Sequence, residues 1–376
     1  MPRPVYLDYN ATAPVRPQVA EAMAAALATP GNPSSAHRFG RLARRVVDEA
    51  RERVAALVGA DPGNVVFTSG GTEANALAVG GVRRRRVLVS AVEHESVLKA
   101  AADAVLIPVD RHGVVDLDAL DRLLDGGGDA LVSVMLANNE TGVVQPLAEV
   151  ATLARRRGAL VHCDAVQAAG KLPLDMAARH ADLLTLSAHK LGGPQGVGAL
   201  VLGEAVVEVA PSLRGGGQER GRRAGTENVP GIAGFGVAAK LAMDDDPRAM
   251  AARGAWRDRL ERQALAVAPR ATVFGAERAR LPNTTCLSLP GMPGDVQVMA
   301  LDLAGVAVSA GSACSSGKVA PSRVLRAMGA TAEEAATAIR ISLGWASEEG
   351  DVDRFLEAWT ILARRAGGMN TAASAA

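Results

Sequence analysis

The stretch LVSVMLANNETGVVQPLAEVATLARRRGALVHC, residues 131–163, contains two apolar runs separated by a helical pattern. The runs 131–136 and 160–163 are almost continuously apolar, which is typical of strands buried on both faces of a sheet. Pro146 suits the first turn of a helix and Gly158 suits its end, so we expect a helix between the runs. The stretch therefore predicts a strand, a helix and a second strand, the repeating unit of a parallel sheet.

The same alternation recurs along much of the chain. Further short apolar runs predict strands at residues 65–69, 87–90, 105–109, 183–187 and 199–202. Because helical patterns lie between many of these runs, we expect an α/β fold with a mostly parallel central sheet and helices on both faces.

The length of 376 residues is large for a single hydrophobic core, so two domains are expected. We place a large domain at residues 16–252. A smaller α+β domain takes residues 253–376 and is joined by residues 1–15. The helix-prone stretch 243–265 is interpreted as the connection between them.

Composition excludes several classes of protein. A hydrophobic fraction of 48% and a net charge of only +1 argue against disorder and against a nucleic-acid partner. The chain has no apolar run long enough to span a membrane, and its first ten residues do not look like a secretory signal. Its cysteines, Cys163, Cys286 and Cys314, are odd in number and widely spaced, which favours free thiols in a reducing compartment. We therefore expect a cytoplasmic protein without metal.

Polar, small and glycine residues gather where the predicted strands end. In a parallel sheet the ligand site lies beyond the carboxyl ends of the strands, so these residues are candidates for one site. The segments are GGTEAN (70–75), AVEHES (91–96), ANNETG (137–142), DAVQAAGK (164–171) and AHKLGGPQG (188–196).

Lys190 directly follows an apolar strand and precedes two glycines. One interpretation is a lysine at the rim of the sheet whose amine reaches solvent. The other is an amine that holds a carbonyl compound as a Schiff base, for which pyridoxal phosphate is the best-known cofactor. That cofactor needs a carboxylate at its pyridine nitrogen, and Asp164 ends another strand. Asp164 could equally be the N-cap of a helix.

A phosphate cradle is also present in the sequence. The turn from strand to helix at Gly70, Gly71 and Thr72 offers backbone N–H groups and a hydroxyl, although tight turns use the same residues. Ser187 and His189 flank the lysine and could add donors. His94 is either an ordinary histidine or a group that lies over a ring and moves protons.

Ten motifs, in order along nearly the whole chain, resemble those of cysteine desulfurases of the NifS/IscS type, within the class V aminotransferase group. The motifs are YLDYNATAP (6–14), GNPSSAHRFG (31–40), FTSGGTEANALA (67–78), EHESVL (93–98), NNETGVVQP (138–146), HCDAVQAAGK (162–171), SAHKLGGPQGVGAL (187–200), LRGGGQERGRRAGTEN (213–228), SAGSACSSG (309–317) and IRISLGW (339–345). The resemblance implies the fold type I architecture of pyridoxal-phosphate-dependent transferases.

The resemblance also implies roles for individual residues. Lys190 is implied to bind the cofactor covalently. Asp164 is implied to pair with the pyridinium nitrogen, and His94 to stack on the ring and shuttle protons. Arg340 is implied to bind the substrate carboxylate, a task suited to its bidentate fork. The remaining implied contacts are Gln167 with the ring hydroxyl, Asn139 with the ring oxygen and substrate, and Gly71, Thr72, Ser187, His189 and Thr226 with the phosphate, Thr226 coming from a second subunit.

Cys314 lies in a run of serine, alanine and glycine, which is an unusual setting for a structural cysteine. The resemblance implies that its thiol attacks the sulfur of a cysteine bound to the cofactor, releasing L-alanine and leaving a persulfide on the enzyme. Cys163 and Cys286 lie in strand-like apolar runs and are interpreted as inert core.

The implied partners are L-cysteine, a second copy of the chain, and a sulfur-acceptor protein of iron–sulfur assembly or tRNA thiolation. An alternative on the same scaffold is a selenocysteine lyase or an aminotransferase, in which Cys314 has little part. A third is a nucleotide-binding protein without covalent chemistry, although TSGGTEAN (68–75) is not a dinucleotide-type glycine fingerprint.

Overall fold

A computed structural model describes residues 3–174, 180–206, 208–310 and 321–373, and Cys314 lies outside these ranges. In chain order the described strands are β1 (Val5–Tyr6), β2 (Val65–Thr68), β3 (Arg86–Ser90), β4 (Val105–Ile107), β5 (Ala130–Ser133), β6 (Leu160–Asp164), β7 (Leu183–Ser187), β8 (Gly198–Leu202), β9 (Thr272–Val273), β10 (Thr284–Ser288), β11 (Val306–Ala307), β12 (Ser309–Ala310) and β13 (Ala338–Ser342).

The described helices are also numbered in chain order. They are α1 (Pro17–Leu27), α2 (Arg38–Val58), α3 (Gly71–Gly81), α4 (Glu95–Leu98), α5 (Leu117–Leu124), α6 (Leu147–Arg156), α7 (Val229–Asp244), α8 (Pro247–Val267), α9 (Gly294–Leu303), α10 (Arg323–Ala327), α11 (Ala332–Ala336) and α12 (Glu349–Ala373), with short 3₁₀ turns at Pro62–Asn64, Ala188–Lys190 and Gln218–Gly221.

The seven strands predicted from apolar runs form one sheet, in the order β2–β8–β7–β6–β5–β3–β4. The strands from β3 to β7 pair in parallel, and β8 runs antiparallel to both of its neighbours. The prediction of a mostly parallel sheet is therefore confirmed. The parallel strands leave their carboxyl ends along one edge, where Asp164 ends β6 and Ser187 ends β7.

Helices cover both faces of this sheet, as predicted. Val161 and Cys163 of β6 face a core that also contains residues of α1, α2, α5, α6 and α7. Leu160, at the start of the same strand, faces the opposite side, where residues of α3 such as Leu77 pack. This alternation explains why the strands are apolar without interruption, since both sets of side chains are buried.

A second unit contains a four-stranded antiparallel sheet, β12–β13–β10–β9, and the parallel pair β1–β11. Its core holds Phe355 and Trp359 of α12 together with Val5 and Leu7 from the start of the chain. The first residues of the chain therefore pack in the same core as α12. The boundaries at residues 15/16 and 252/253 stay a prediction, and α8 runs as one helix across the second of them.

No helix within the described ranges combines the length and the apolar character that crossing a lipid bilayer requires.

The close contact between β8 and the turn after β2 gives a test of the fold. A Cβ on Gly198 would lie 2.5 Å from the carbonyl carbon of Gly70, and Gly198 is held in register with Thr68 and Ser187. We expect Gly198→Ala to lower the free energy of unfolding by about 1–3 kcal/mol, measured by urea denaturation.

Gly80→Ala is the matched control, because Gly80 is an exposed residue of α3 and a Cβ there would meet open space. It should leave stability unchanged or raise it by up to about 1 kcal/mol, as alanine favours helix. Equal unfolding midpoints for the two variants would contradict the packing described here.

Candidate active site

A cavity of about 330 Å³ lies at the carboxyl edge of the large sheet. Its walls are made by the turns after the parallel strands, by Asn10 and Ala11 of the N-terminal segment, and by Arg340 of β13. Ten of the residues predicted for the site line it: Gly71, Thr72, His94, Asn139, Asp164, Gln167, Ser187, His189, Lys190 and Arg340. The fold therefore brings together side chains that are up to 269 residues apart in the sequence (71 to 340).

Two predicted residues are not among the lining residues. Cys314 falls in the part of the chain that the structure does not describe. Thr226 is exposed and lies outside the cavity wall, in the segment 213–228. Ion pairs that include Arg223 with Glu73 of α3 and Glu219 with Arg51 of α2 hold that segment against these two helices.

Lys190 ends the short helical turn that follows β7. Its Nζ donates hydrogen bonds to the backbone oxygens of Asn10, at 2.7 Å, and Ala11, at 2.6 Å. The amine therefore lies inside the cavity, against the N-terminal segment. Lys190 is not a lysine that extends along the rim into solvent.

The Asp164 carboxylate is held in a fixed orientation. Its Oδ2 accepts a hydrogen bond from Asn75 Nδ2 at 2.8 Å, and its Oδ1 accepts one from the backbone N–H of Val166 at 3.0 Å. The second contact is the local, cap-like bond that the simpler interpretation expected. Because Asp164 also lines the cavity, the local bond and the predicted ring contact are compatible.

Asn75 is a buried residue that the sequence did not single out. Its Nδ2 also donates to Ser96 Oγ at 2.9 Å, and that hydroxyl lies 2.8 Å from His94 Nδ1. One amide thus joins the carboxylate and the histidine of the site. The sequence feature that could have identified Asn75 as a site residue is its place in α3, one helical turn after Gly71, on the side that faces the sheet.

His94 is the N-cap of α4, and its Nδ1 accepts a hydrogen bond from the backbone N–H of Ser96 at 3.1 Å. A ring nitrogen that accepts from an amide carries no proton, so the neutral ring has its proton on Nε2. The backbone therefore fixes both the tautomer and the plane of the imidazole.

The predicted phosphate cradle is assembled from β2, α3 and β7. Gly71 begins α3, an eleven-residue helix whose N-terminal N–H groups favour an anion. A Cβ on Gly71 would lie 3.1 Å from Val166 and 3.4 Å from Ser187 Cβ, so a side chain would fill the cradle. Burial, helped by the Lys190 charge, lowers the pKa of His189 to about 4. His189 is thus neutral at pH 7.

Gln167, one turn after Asp164, is oriented by a second lysine. Lys171 Nζ donates to Gln167 Oε1 at 2.9 Å and to Asn10 Oδ1 at 3.0 Å, while Gln167 Nε2 donates to the backbone oxygen of Asn10 at 2.9 Å. Burial, with the charges of Lys190 and Arg340, lowers the pKa of Lys171 to about 7. The amide is therefore held with its oxygen toward Lys171.

The two described ends of the chain around Cys314 are both fixed beside the cavity. Before it, Ser309 of β12 is paired with Arg340 of β13. After it, Ser322 Oγ donates to the buried Glu140 carboxylate, and Arg323 donates to the backbone oxygens of residues 91 and 93.

Burial raises the pKa of Glu140 to about 7, although the bond from Ser322 and the charges of Arg340, Arg323 and His94 oppose this.

The other two cysteines are core residues, as expected. Cys163 and Cys286 have no accessible surface. Burial raises the pKa of both thiols well above the usual range. Neither thiol has the thiolate character that nucleophilic chemistry needs.

The residues of the cavity fit pyridoxal phosphate. The volume is within the range of small-ligand sites. The Asp164 carboxylate, the Lys190 amine and the first residues of α3 all line it, and among the described residues the Nε of Arg340 is buried without a hydrogen-bond partner. An unpaired buried donor of this kind is expected where a ligand supplies the acceptor.

Comparison with known proteins extends this picture beyond the site. The model of the family "Aminotransferase class-V" matches residues 5–355. A cysteine desulfurase of Trichormus azollae is 44% identical over 366 residues, which cover 94% of this chain and 91% of that protein. A cysteine desulfurase of Cereibacter sphaeroides is 45% identical over 368 residues, covering 94% of each.

The solved structures agree with the sequence relatives. The NifS-like protein of Rickettsia africae superposes with a TM-score of 0.88 at 35% identity, covering 95% of this chain and 98% of that one. Together with the matches in sequence, this confirms both the fold and the resemblance drawn from the ten motifs. The chain belongs to the class V aminotransferase family, as an enzyme of the NifS/IscS cysteine desulfurase type.

Proposed function

We propose that the protein is a pyridoxal-phosphate-dependent L-cysteine desulfurase, which converts L-cysteine to L-alanine and keeps the sulfur as a persulfide on Cys314. One observation carries the proposal. The Lys190 amine and the Asp164 carboxylate share a cavity whose wall includes Arg340, and β12, which leads toward Cys314, pairs directly with Arg340.

The cavity residues divide into groups that hold different parts of the cofactor. Gly71, Thr72, Ser187 and His189 receive the phosphate, with Thr226 from a second subunit. Asp164 would pair with the ring nitrogen and Gln167 with the ring hydroxyl, while Lys190 would supply the amine that tethers the cofactor. When bound, pyridoxal phosphate acts as an electron sink for bonds at the substrate's α and β carbons.

Arg340 and Asn139 position the substrate. The guanidinium binds the α-carboxylate, and Asn139, whose backbone oxygen accepts from Arg340 Nη1 at 3.1 Å, is brought beside it.

His94 moves protons in this proposal. Its Nε2 carries the proton in the neutral form, since Nδ1 accepts from Ser96. Because the ring is fixed by backbone contact, it gives and takes a proton at one position without having to rotate.

Cys314 receives the sulfur. It follows Ala310, the last residue described before it, by four positions, so the length of the chain keeps its Cα within about 14 Å of Ala310. Its thiolate attacks the sulfur of the bound cysteine, the bond between that sulfur and the β carbon breaks, and the β carbon takes up a proton to give alanine. The outer sulfur of the persulfide then passes to an acceptor protein of iron–sulfur assembly or of tRNA thiolation.

The assembly and location complete the proposal. A homodimer in which Thr226 reaches the neighbouring site accounts for its exposure in the single chain and for the ion pairs that fix its segment. We place the enzyme in the cytoplasm, where its thiols stay reduced.

The role of Cys314 is tested by Cys314→Ser. We expect release of sulfide and alanine from L-cysteine, in the presence of a thiol reductant, to fall by at least about a hundredfold, since serine cannot carry the persulfide. Cys286→Ala, in the buried core, is the control and should stay active. Sulfide release that survives in Cys314→Ser would favour the selenocysteine lyase or aminotransferase alternative.

The covalent role of Lys190 is tested with borohydride, which reduces a Schiff base irreversibly. Treatment of the purified holoenzyme should bleach its yellow colour and leave the cofactor on the peptide that contains Lys190, as read by mass spectrometry. Lys171→Arg serves as the control that keeps a neighbouring cation and should be labelled at Lys190 as well. A label on Lys171 in the wild type would contradict the assignment.

The position of Asn75 predicts a role in orienting the site. Asn75→Ala removes the hydrogen bonds to Asp164 and Ser96, so we expect kcat/KM for L-cysteine to fall by about ten- to a hundredfold. Asn75→Asp keeps the size but places a second carboxylate beside Asp164, and it should be impaired more. Activity of the Ala variant within twofold of the wild type would show that the hydrogen bonds of Asn75 to Asp164 and Ser96 do not contribute to the reaction.

A further inference from the structure

Arg340, which the proposed function assigns to the substrate carboxylate, already holds a carboxylate of the chain itself. Its Nη2 donates to Asp8 Oδ1 at 2.7 Å, and its side chain is only 4% exposed. Nη1 donates to the backbone oxygen of Asn139 at 3.1 Å. The two terminal nitrogens of the fork are therefore engaged before any substrate arrives.

Asp8 is fixed in this position from two sides. Its second oxygen, Oδ2, accepts a hydrogen bond from Ser309 Oγ at 3.1 Å. Its backbone forms a bridge with Ser342, two residues after Arg340 in β13. The carboxylate is therefore a built part of the arginine's surroundings. Its position does not depend on the ion pair with Arg340 alone.

One nitrogen of the guanidinium makes neither of these contacts. Within the described parts of the chain, Arg340 Nε is buried and has no hydrogen-bond partner, and Arg340 lines the cavity. A carboxylate that bound two nitrogens of the fork through Nε would share Nη2 with Asp8, or displace it. Two carboxylates on one guanidinium repel each other, so each weakens the binding of the other.

We propose that Asp8 is a specificity-determining residue, which occupies Arg340 as an internal competitor and so weakens the binding of carboxylates that make no other contact with the site. The proposal rests on the proposed function, because it takes Arg340 as the substrate-carboxylate group. A small carboxylate gains too little from the arginine alone to overcome Asp8. An amino acid that also contacts the rest of the cavity gains enough.

Asp8→Asn tests the proposal, since it keeps the shape and a hydrogen-bond acceptor but removes the charge. Isothermal titration of the holoenzyme with sodium acetate and with L-alanine gives dissociation constants without turnover. We expect the variant to bind acetate at least about fivefold more tightly than the wild type, with a smaller gain for L-alanine. The KM for L-cysteine should fall as well.

Weaker or unchanged binding of acetate by the Asp8→Asn variant would overturn the proposal. If Asp8 only positions Arg340, its loss weakens the binding of acetate or leaves it unchanged. In an Arg340→Gln background Asp8→Asn should have no effect on acetate binding, because the shared cation is gone. An effect that persists there would also contradict the competition.

Two further variants complete the design. Asp125→Asn removes a carboxylate from an exposed ion pair with Arg157 and makes the same change in net charge, so it should leave acetate binding unchanged. Ser309→Ala loosens Asp8 but keeps its charge, and it should tighten acetate binding by less than Asp8→Asn. If Asp8→Asn fails to fold, unchanged or weaker acetate binding by Ser309→Ala overturns the proposal.

A failure of the proposal for Asp8 can be distinguished from a failure of the proposed function. A wild type that releases no sulfide from L-cysteine refutes the desulfurase. The titrations with acetate and L-alanine need no sulfur chemistry, so they report on Asp8 in either case.

Discussion

The site depends on one buried residue of the N-terminal segment, Asn10, because its polar atoms tie the large sheet to the smaller unit. Its backbone oxygen accepts hydrogen bonds from Lys190 and Gln167, and its side chain contacts Lys171 and Thr284. Its N–H donates to Ser342 of β13. The N-terminal segment thus begins in the core of the smaller unit and then forms part of the wall of the cavity at the edge of the large sheet. These buried hydrogen bonds link the cavity residues of the large sheet to β13 and β10, and each of them needs its partner in place.

A second constraint acts on the other wall of the cavity. Asp164, Asn75, Ser96 and His94 form a continuous series of hydrogen bonds across the ends of two strands and two helices. Every member is held by a neighbour, so the carboxylate and the imidazole keep their relative position before a ligand binds. Preorganised polar groups of this kind lose little free energy to rearrangement during a reaction.

Much of this arrangement could be predicted from the sequence because it depends on local patterns. Buried strands are apolar runs, and the residues that follow them, such as Asp164 and Lys190, mark the edge where a ligand lies. Asn75 and Asp8 could not be found in this way. An amide within a helix has no pattern of its own, and Asp8 meets Arg340 across 332 residues of chain. The contacts of Asn75 follow from the packing of α3 against the ends of the large sheet, and the contact of Asp8 follows from the position of the N-terminal segment beside β13.

The burial of Cys163 and Cys286 has a consequence for the fate of the sulfur atom. Exchange of sulfane sulfur between cysteines requires an accessible thiolate, and these two thiols have neither accessible surface nor an ordinary pKa. Under the proposed function, a persulfide on Cys314 has no accessible internal cysteine to which its sulfur could move. The sulfur would therefore leave the protein by direct transfer from Cys314 to an external nucleophile, and the buried thiols would be protected from the oxidation to which a persulfide carrier is exposed.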